Sequence, residues 1–174
     1  MYQEVDGDLI ELALAGNFDV ISHGCNCHCV MGAGIAPKMA TSFGCDEFKM
    51  ENNNSCGDVN KLGTIDYELK LVHDKVAYSE KSENLMLNKN LEYKRLYVVN
   101  SYTQFGFGSK SKKPPVDYEA IRLCLRKINS IFEGFHIGLP QIGCGLAGGD
   151  WDIVKKIIQE ELIDCNVTVV IFKK

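Results

Sequence analysis

A chain of 174 residues has the length of one domain with room for a sizeable core. Its formal charge of −4 argues against a general grip on nucleic acid, which needs clustered basic charge; Lys110 to Lys113 is a local exception and reads as solvated loop charge. No apolar run approaches the roughly 20 residues that span a bilayer. Met1 to Asp6 lacks the basic-then-apolar pattern of a leader, so the eight cysteines read as reduced thiols of a cytoplasmic protein.

Tyr2 to Val5 reads as a short first strand, and Gly7 to Ile10 as a turn into a short helical piece that ends near Gly16, with Asp8 as its cap. Phe18 to His23 reads as a buried strand. Gly34 to Phe43 reads as a helix, with Pro37 in its first turn. Asp46 to Asn54 suggests a further short helix. Gly63 to Lys70 alternates apolar and polar side chains as a strand does, and Leu71 to Tyr78 could be its hairpin partner. Ser79 to Glu92 is polar and Asn-rich, an insertion that could be a lid or an idle loop. Arg95 to Tyr102 is the clearest central strand, and Gln104 to Pro115 is a Gly, Lys and Pro loop. Asp117 to Phe132 places Ile121, Leu125, Ile128 and Ile131 at helical spacing. His136 to Pro140 reads as a short buried strand. Asp150 to Leu162 reads as a helix with Ile153, Ile157 and Ile158 inward, and Val167 to Phe172 as a closing β-branched strand. Strands alternating with helices imply an α/β chain with a mainly parallel, helix-covered sheet, and ligands then bind beyond the carboxyl ends of the strands.

Two glycine loops follow predicted strands and precede predicted helices. One holds Gly32-Ala33-Gly34-Ile35; the other is Pro140-Gln-Ile-Gly143-Cys144-Gly145-Leu146. Glycines at such junctions let backbone N–H groups approach a ligand, and a helix N-terminus adds partial positive charge, so both suit phosphate. Two of them suggest one extended ligand with two phosphates. His23, Cys25, Cys27, His28 and Cys29 lack the paired, separated spacing of a zinc site, and no metal or other cofactor is expected. Nothing orders a cysteine and histidine there as nucleophile and base. The first loop lacks the third glycine of a dinucleotide fingerprint and stands too far from its strand.

The order Gly7-Asp8-Leu9, His23-Gly-Cys-Asn26, Gly32-Ala-Gly34-Ile-Ala and Pro140-Gln-Ile-Gly-Cys-Gly-Leu146 resembles a macrodomain along nearly the whole chain. Within that Appr-1-p processing family it is similar to the small phosphatase-like members of yeast and phage type, which act on ADP-ribose 1″-phosphate. The resemblance implies one three-layer α/β/α domain over residues 1 to 174, with a mixed, mostly parallel sheet and an ADP-ribose cleft. It implies that Asp8, with Leu9 beside it, receives the adenine amino group, and that Gly32, Ala33, Gly34 and Ile35 wrap the terminal ribose and nearer phosphate. Gly143, Cys144, Gly145 and Leu146 would offer N–H groups to the diphosphate, and Asn26 would touch hydroxyls of the terminal ribose. His23 and Asp150 would activate water or pass a proton to the leaving oxygen in hydrolysis of the 1″-phosphate. Each has a structural alternative: a hydrogen-bonded histidine, a helix cap, and for Asn26 a turn. A related macrodomain enzyme frees glutamate of ADP-ribose through a lysine, which falls at Gln104 here; glutamine forms no such adduct but could hydrogen-bond the ribose, or serve only its loop. The expected partners are ADP-ribose and its 1″-phosphate. The competing functions are a hydrolase acting on modified acidic side chains and an ADP-ribose reader without turnover.

Overall fold

The computed structural model describes residues 1–46, 57–79, 91–107 and 115–173. Its strands are β1 (Tyr2–Asp6), β2 (Val20–Asn26), β3 (Ile65–His73), β4 (Val76–Ser79), β5 (Lys94–Gln104), β6 (His136–Leu139) and β7 (Asn166–Ile171). Its α-helices are α1 (Leu9–Leu14), α2 (Ala36–Phe43), α3 (Tyr118–Ile131) and α4 (Trp151–Glu161). The strands form one sheet in the order β1-β7-β6-β2-β5-β3-β4. The first five run parallel, β3 is antiparallel to β5, and β4 is antiparallel to β3. The expected mixed, mostly parallel sheet is what forms.

Successive side chains of a strand point to opposite faces, so a doubly covered strand is apolar at consecutive positions. Val20, Val99 and Val169 pack with α3 and α4, while their neighbours Ile21, Val98 and Val170 pack with α1 and α2. That division makes the three layers. In α3 the inward residues are Ile121, Leu125, Ile128 and then Phe132, which is 2% exposed; Ile131, expected inward, is 46% exposed. In α4 Val154 takes the inward place expected of Ile153. Both departures are one-residue rotations about the helix.

The hairpin also differs from expectation. Its turn is Asp74-Lys75, both at positive φ (48° and 59°), so β3 runs on to His73 and only Val76–Ser79 returns. Paired positive φ values match the right-handed twist of a two-residue hairpin. The helix expected in Asp46 to Asn54 and the insertion Ser79 to Glu92 fall almost wholly outside the described residues. No helix among the described residues is long and apolar enough to cross a membrane.

Candidate functional site

Parallel strands β1, β7, β6, β2 and β5 all end on one edge of the sheet, and a cavity of about 650 Å³ opens there. That volume suits a small-molecule site of about 300–1,000 Å³. Gly32 to Ile35 line one side, and Gly143, Gly145 and Leu146 line the other. The loops approach each other closely: a Cβ on Gly34 would lie 3.9 Å from Leu146 Cδ1. The two glycine loops singled out in the sequence therefore share one cavity.

Each loop is held by its own bonds. Asn26 Oδ1 accepts the N–H groups of His28 (3.1 Å) and Val30 (3.3 Å), while its Nδ2 donates to Val30 O at 2.8 Å. In the second loop, Gly149 N–H donates to Gly143 O (2.9 Å) and Gly148 N–H to Gly145 O (3.0 Å). Gly143 has φ +75°, and a Cβ there would lie 2.9 Å from Ile121 Cδ1, so this turn needs glycine. The N–H groups of Gly32, Ala33, Gly34, Ile35, Gly143, Gly145, Leu146 and Ala147 find no partner among the described residues. Amides that converge unpaired on a cavity make an anion cradle. The N-terminus of α2 adds to it, because Ile35 provides no side-chain cap.

A β-bulge shapes the floor. Asn26 of β2 pairs with Gln104 of β5, which leaves Thr103 as the extra residue. Asn26 and Gln104 both reach the cavity lining. Gln104 Nε2 donates to Gly106 O at 2.7 Å and so ties the turn that carries Phe107, another lining residue.

The proposed acid–base pair does not join this lining. His23 is fully buried, packed under the floor on the α2 side, with Nε2–H donating to Asn100 Oδ1 at 2.9 Å. Asn100 Nδ2 in turn donates to Cys45 O (2.7 Å), which fixes that orientation. Burial lowers the pKa of His23 to about 4, only partly offset by Asn100. Asp150 is an exposed N-cap: its Oδ1 accepts the Asp152 N–H (2.9 Å), and its own N–H donates to the Tyr118 hydroxyl at 2.9 Å. Cys144 also turns away, its Sγ donating to Ile142 O (3.5 Å) and its thiol pushed up to about 11 by burial. Asn26 keeps its place, with one Nδ2 hydrogen left beyond its three loop bonds.

Asp8 and Leu9 are likewise outside this cavity. Leu9 belongs to the core beneath α1. Asp8 caps α1, with Oδ1 accepting from Ile10 N–H (2.9 Å) and Glu11 N–H (3.3 Å), and Oδ2 lies 3.3 Å from Lys38 Nζ. Burial opposes its charge, yet those two amides and Lys38 hold its carboxyl below the ordinary value. Asp8 lines a smaller cavity of about 340 Å³ with Pro37 and Lys38. Neighbouring residues of the first turn of α2 line the two cavities: Ile35 and Ala36 the larger, Pro37 and Lys38 the smaller. Sequence reasoning missed the rim, formed by Val30 and Phe107, and the exposed Phe172 ring 5.8 Å from Lys38 Nζ. The Phe105-Gly106-Phe107 pattern in a Gly and Lys loop was the available signal for Phe107.

Among the described residues no cluster of histidine, cysteine or carboxylate groups could hold a metal. Burial pushes the thiols of Cys27 and Cys45 up to about 11 and that of Cys124 up to about 12, so none is a nucleophile at neutral pH.

No family model matches the chain. Over 162 residues it is 30% identical to an uncharacterized 17.5 kDa protein from the tk–vs intergenic region of Enterobacteria phage T4, covering 88% of this chain and 85% of that one. A Bacteroides thetaiotaomicron protein of unknown function superposes with a TM-score of 0.63 at 26% identity over 98% of both chains. The macrodomain of Mycobacterium tuberculosis DarG does so with a TM-score of 0.59 at 18% identity, over 98% of this chain and 97% of that one. Thermosipho africanus DarTG, solved in complex with ADP-ribose, gives a TM-score of 0.65 at 17% identity over 98% of this chain and 41% of that one. The chain belongs to the family of the phage T4 protein, and its fold is that of the macrodomains.

Proposed function

We propose that this chain is an ADP-ribose-binding module. The observation that carries the proposal is the ring of unpaired amides from two glycine loops on one cavity at the carboxyl edge of the sheet. A diphosphate needs many N–H donors at fixed positions more than it needs lysines, and an acidic protein can supply them from backbone. In this reading the adenine takes the smaller cavity lined by Asp8 and Lys38, whose Nζ lies 5.8 Å from the Phe172 ring. Titration of ADP-ribose by calorimetry is expected to show one site per chain; the absence of heat and of any thermal stabilisation by the ligand would sink the reading.

Recognition without turnover is the form of this function that the geometry supports best. Hydrolysis of ADP-ribose 1″-phosphate, or of ADP-ribose linked to an acidic side chain, needs a positioned acid, base or nucleophile. Among the described residues the lining has no histidine, lysine or carboxylate, and burial pushes the thiol of Cys25, which does line it, well up. The phosphatase reading therefore rests on the motif resemblance. Asp150→Ala separates the two. As loss of an N-cap it is expected to cost about 1 kcal/mol of stability and to leave ADP-ribose affinity within about twofold. Phosphate release from the 1″-phosphate by the parent chain, lost in Asp150→Ala, would restore the hydrolase.

A further inference from the structure

The far end of the cavity carries chemistry that amide donors do not explain. Asp8 follows β1, and Phe107 follows β5; β7, β6 and β2 lie between them in the sheet. Four strand spacings of about 4.8 Å put these ends about 19 Å apart, a span that a nucleoside diphosphate joined to a second sugar covers when extended. With adenine beside Asp8, the terminal ribose comes to Asn26, Gln104 and Phe107. This assignment rests on the ADP-ribose reading.

A large apolar side chain lines the cavity there while remaining open to solvent: Phe107 is 59% exposed. Phe107 is a held ring. It stands perpendicular to the His28 ring, at 89° and 5.2 Å between centroids, and His28 packs against Phe105 at 5.3 Å. The turn beneath it is tied by Gln104 Nε2 to Gly106 O and by the Cys27 N–H, shared between Gln104 O (3.1 Å) and Phe105 O (3.0 Å). A fixed aromatic ring favours a flat π-system, and all the more a cationic one. A phosphate on the same sugar carbon would be desolvated against the phenylalanine ring.

We propose that the Phe107 end of the cavity is a site for a planar heteroaromatic ring carried on C1″ of the terminal ribose. Nicotinamide adenine dinucleotide is ADP-ribose with a pyridinium ring on that carbon, and its α and β anomers direct the ring to opposite sides of the sugar. Calorimetry with ADP-ribose, both anomers and ADP-ribose 1″-phosphate reads the preference. One anomer is expected to bind about tenfold tighter than ADP-ribose, with the 1″-phosphate no tighter. In Phe107→Ala the ratio between that anomer and ADP-ribose should fall to about one, and Phe107→Trp should bring it back. A ring that gains nothing in either anomer, a tighter 1″-phosphate, or a ratio that survives Phe107→Ala each overturns the proposal. Binding of ADP-ribose with no gain from the ring removes this proposal alone; no binding of ADP-ribose removes the reading beneath it as well.

Discussion

Gly34→Val is expected to reduce ADP-ribose affinity by at least about 100-fold in a protein that still folds. Gly34 has φ +66°, in the left-handed region where a β-branched residue is an outlier. Holding an L side chain there costs roughly 1–2 kcal/mol, and the alternative is a loop that swings its amides off their aim. Space within the fold is not the obstacle. A Cβ would meet only Leu146 Cδ1, at 3.9 Å, an ordinary contact. The added methyl groups would instead occupy the gap between the loops, where the proposed reading puts the diphosphate. Gly34→Ala carries the strain with less of the filling and should lose about tenfold. Gly134→Ala is the matched control: its φ is +81°, nothing lies within 4 Å of its Cβ, and it sits in the turn between α3 and β6, far from the cavity. It should lower the melting temperature by a few degrees, as about 1 kcal/mol does in a domain of this size, and leave binding alone. Near-parental affinity in Gly34→Val would mean that these loops are not the phosphate cradle.

How the two loops come to share a cavity could be read from the chain before any coordinate. Consecutive β-branched pairs such as Val98-Val99 and Val169-Val170 announce strands buried on both faces, hence a parallel sheet with helices on each side. In such a sheet every loop after a strand falls on the same edge. The turn at Asp74-Lys75 was hidden because neither residue is the glycine or asparagine that usually marks positive φ. Ile131 and Phe132 are both apolar, and periodicity cannot choose which of two neighbours turns inward. The misplacement of His23 has a more instructive cause. A strand that ended at His23 would put the imidazole at the mouth of the site. The strand runs three residues further, to Asn26, because its ladder with β5 continues through Ser101 and Tyr102. That extension moves His23 from a strand end to a strand interior, on the face covered by α2. Asp150 was legible as a cap, and a cap is what it is.

The buried place of His23 gives this chain a specific dependence on pH. The imidazole ring is packed near the Cys25 and Cys45 thiols, with Sγ atoms 3.6 and 3.8 Å from Nε2, and its one strong partner is Asn100 Oδ1. Among the described residues no carboxylate contacts it to stabilise a second proton, and the thiol nearest Nδ1, that of Cys25 at 3.9 Å, is a weak acceptor. The folded pKa is therefore about 4, against 6.5 for a free histidine. Between those values the unfolded chain binds a proton that the native chain refuses, so stability rises with pH through the window and falls as the pH drops from 6.5 toward 4. At about 1.4 kcal/mol per unit the full effect is about 3 kcal/mol, or about 6–12 °C in melting temperature for a domain of this length. The carboxyls of Glu4, Asp8 and Glu161, all held below their ordinary values, add their losses only at the acid end. His23→Gln keeps an N–H donor for Asn100 and cannot be protonated. Its melting temperature should change little between pH 6.5 and 5, while the parent chain declines steadily. Equal slopes in the two proteins, or an imidazole that titrates near 6.5 by NMR in the folded chain, would place His23 in water, and the acid–base role at the cavity would have to be reconsidered with it.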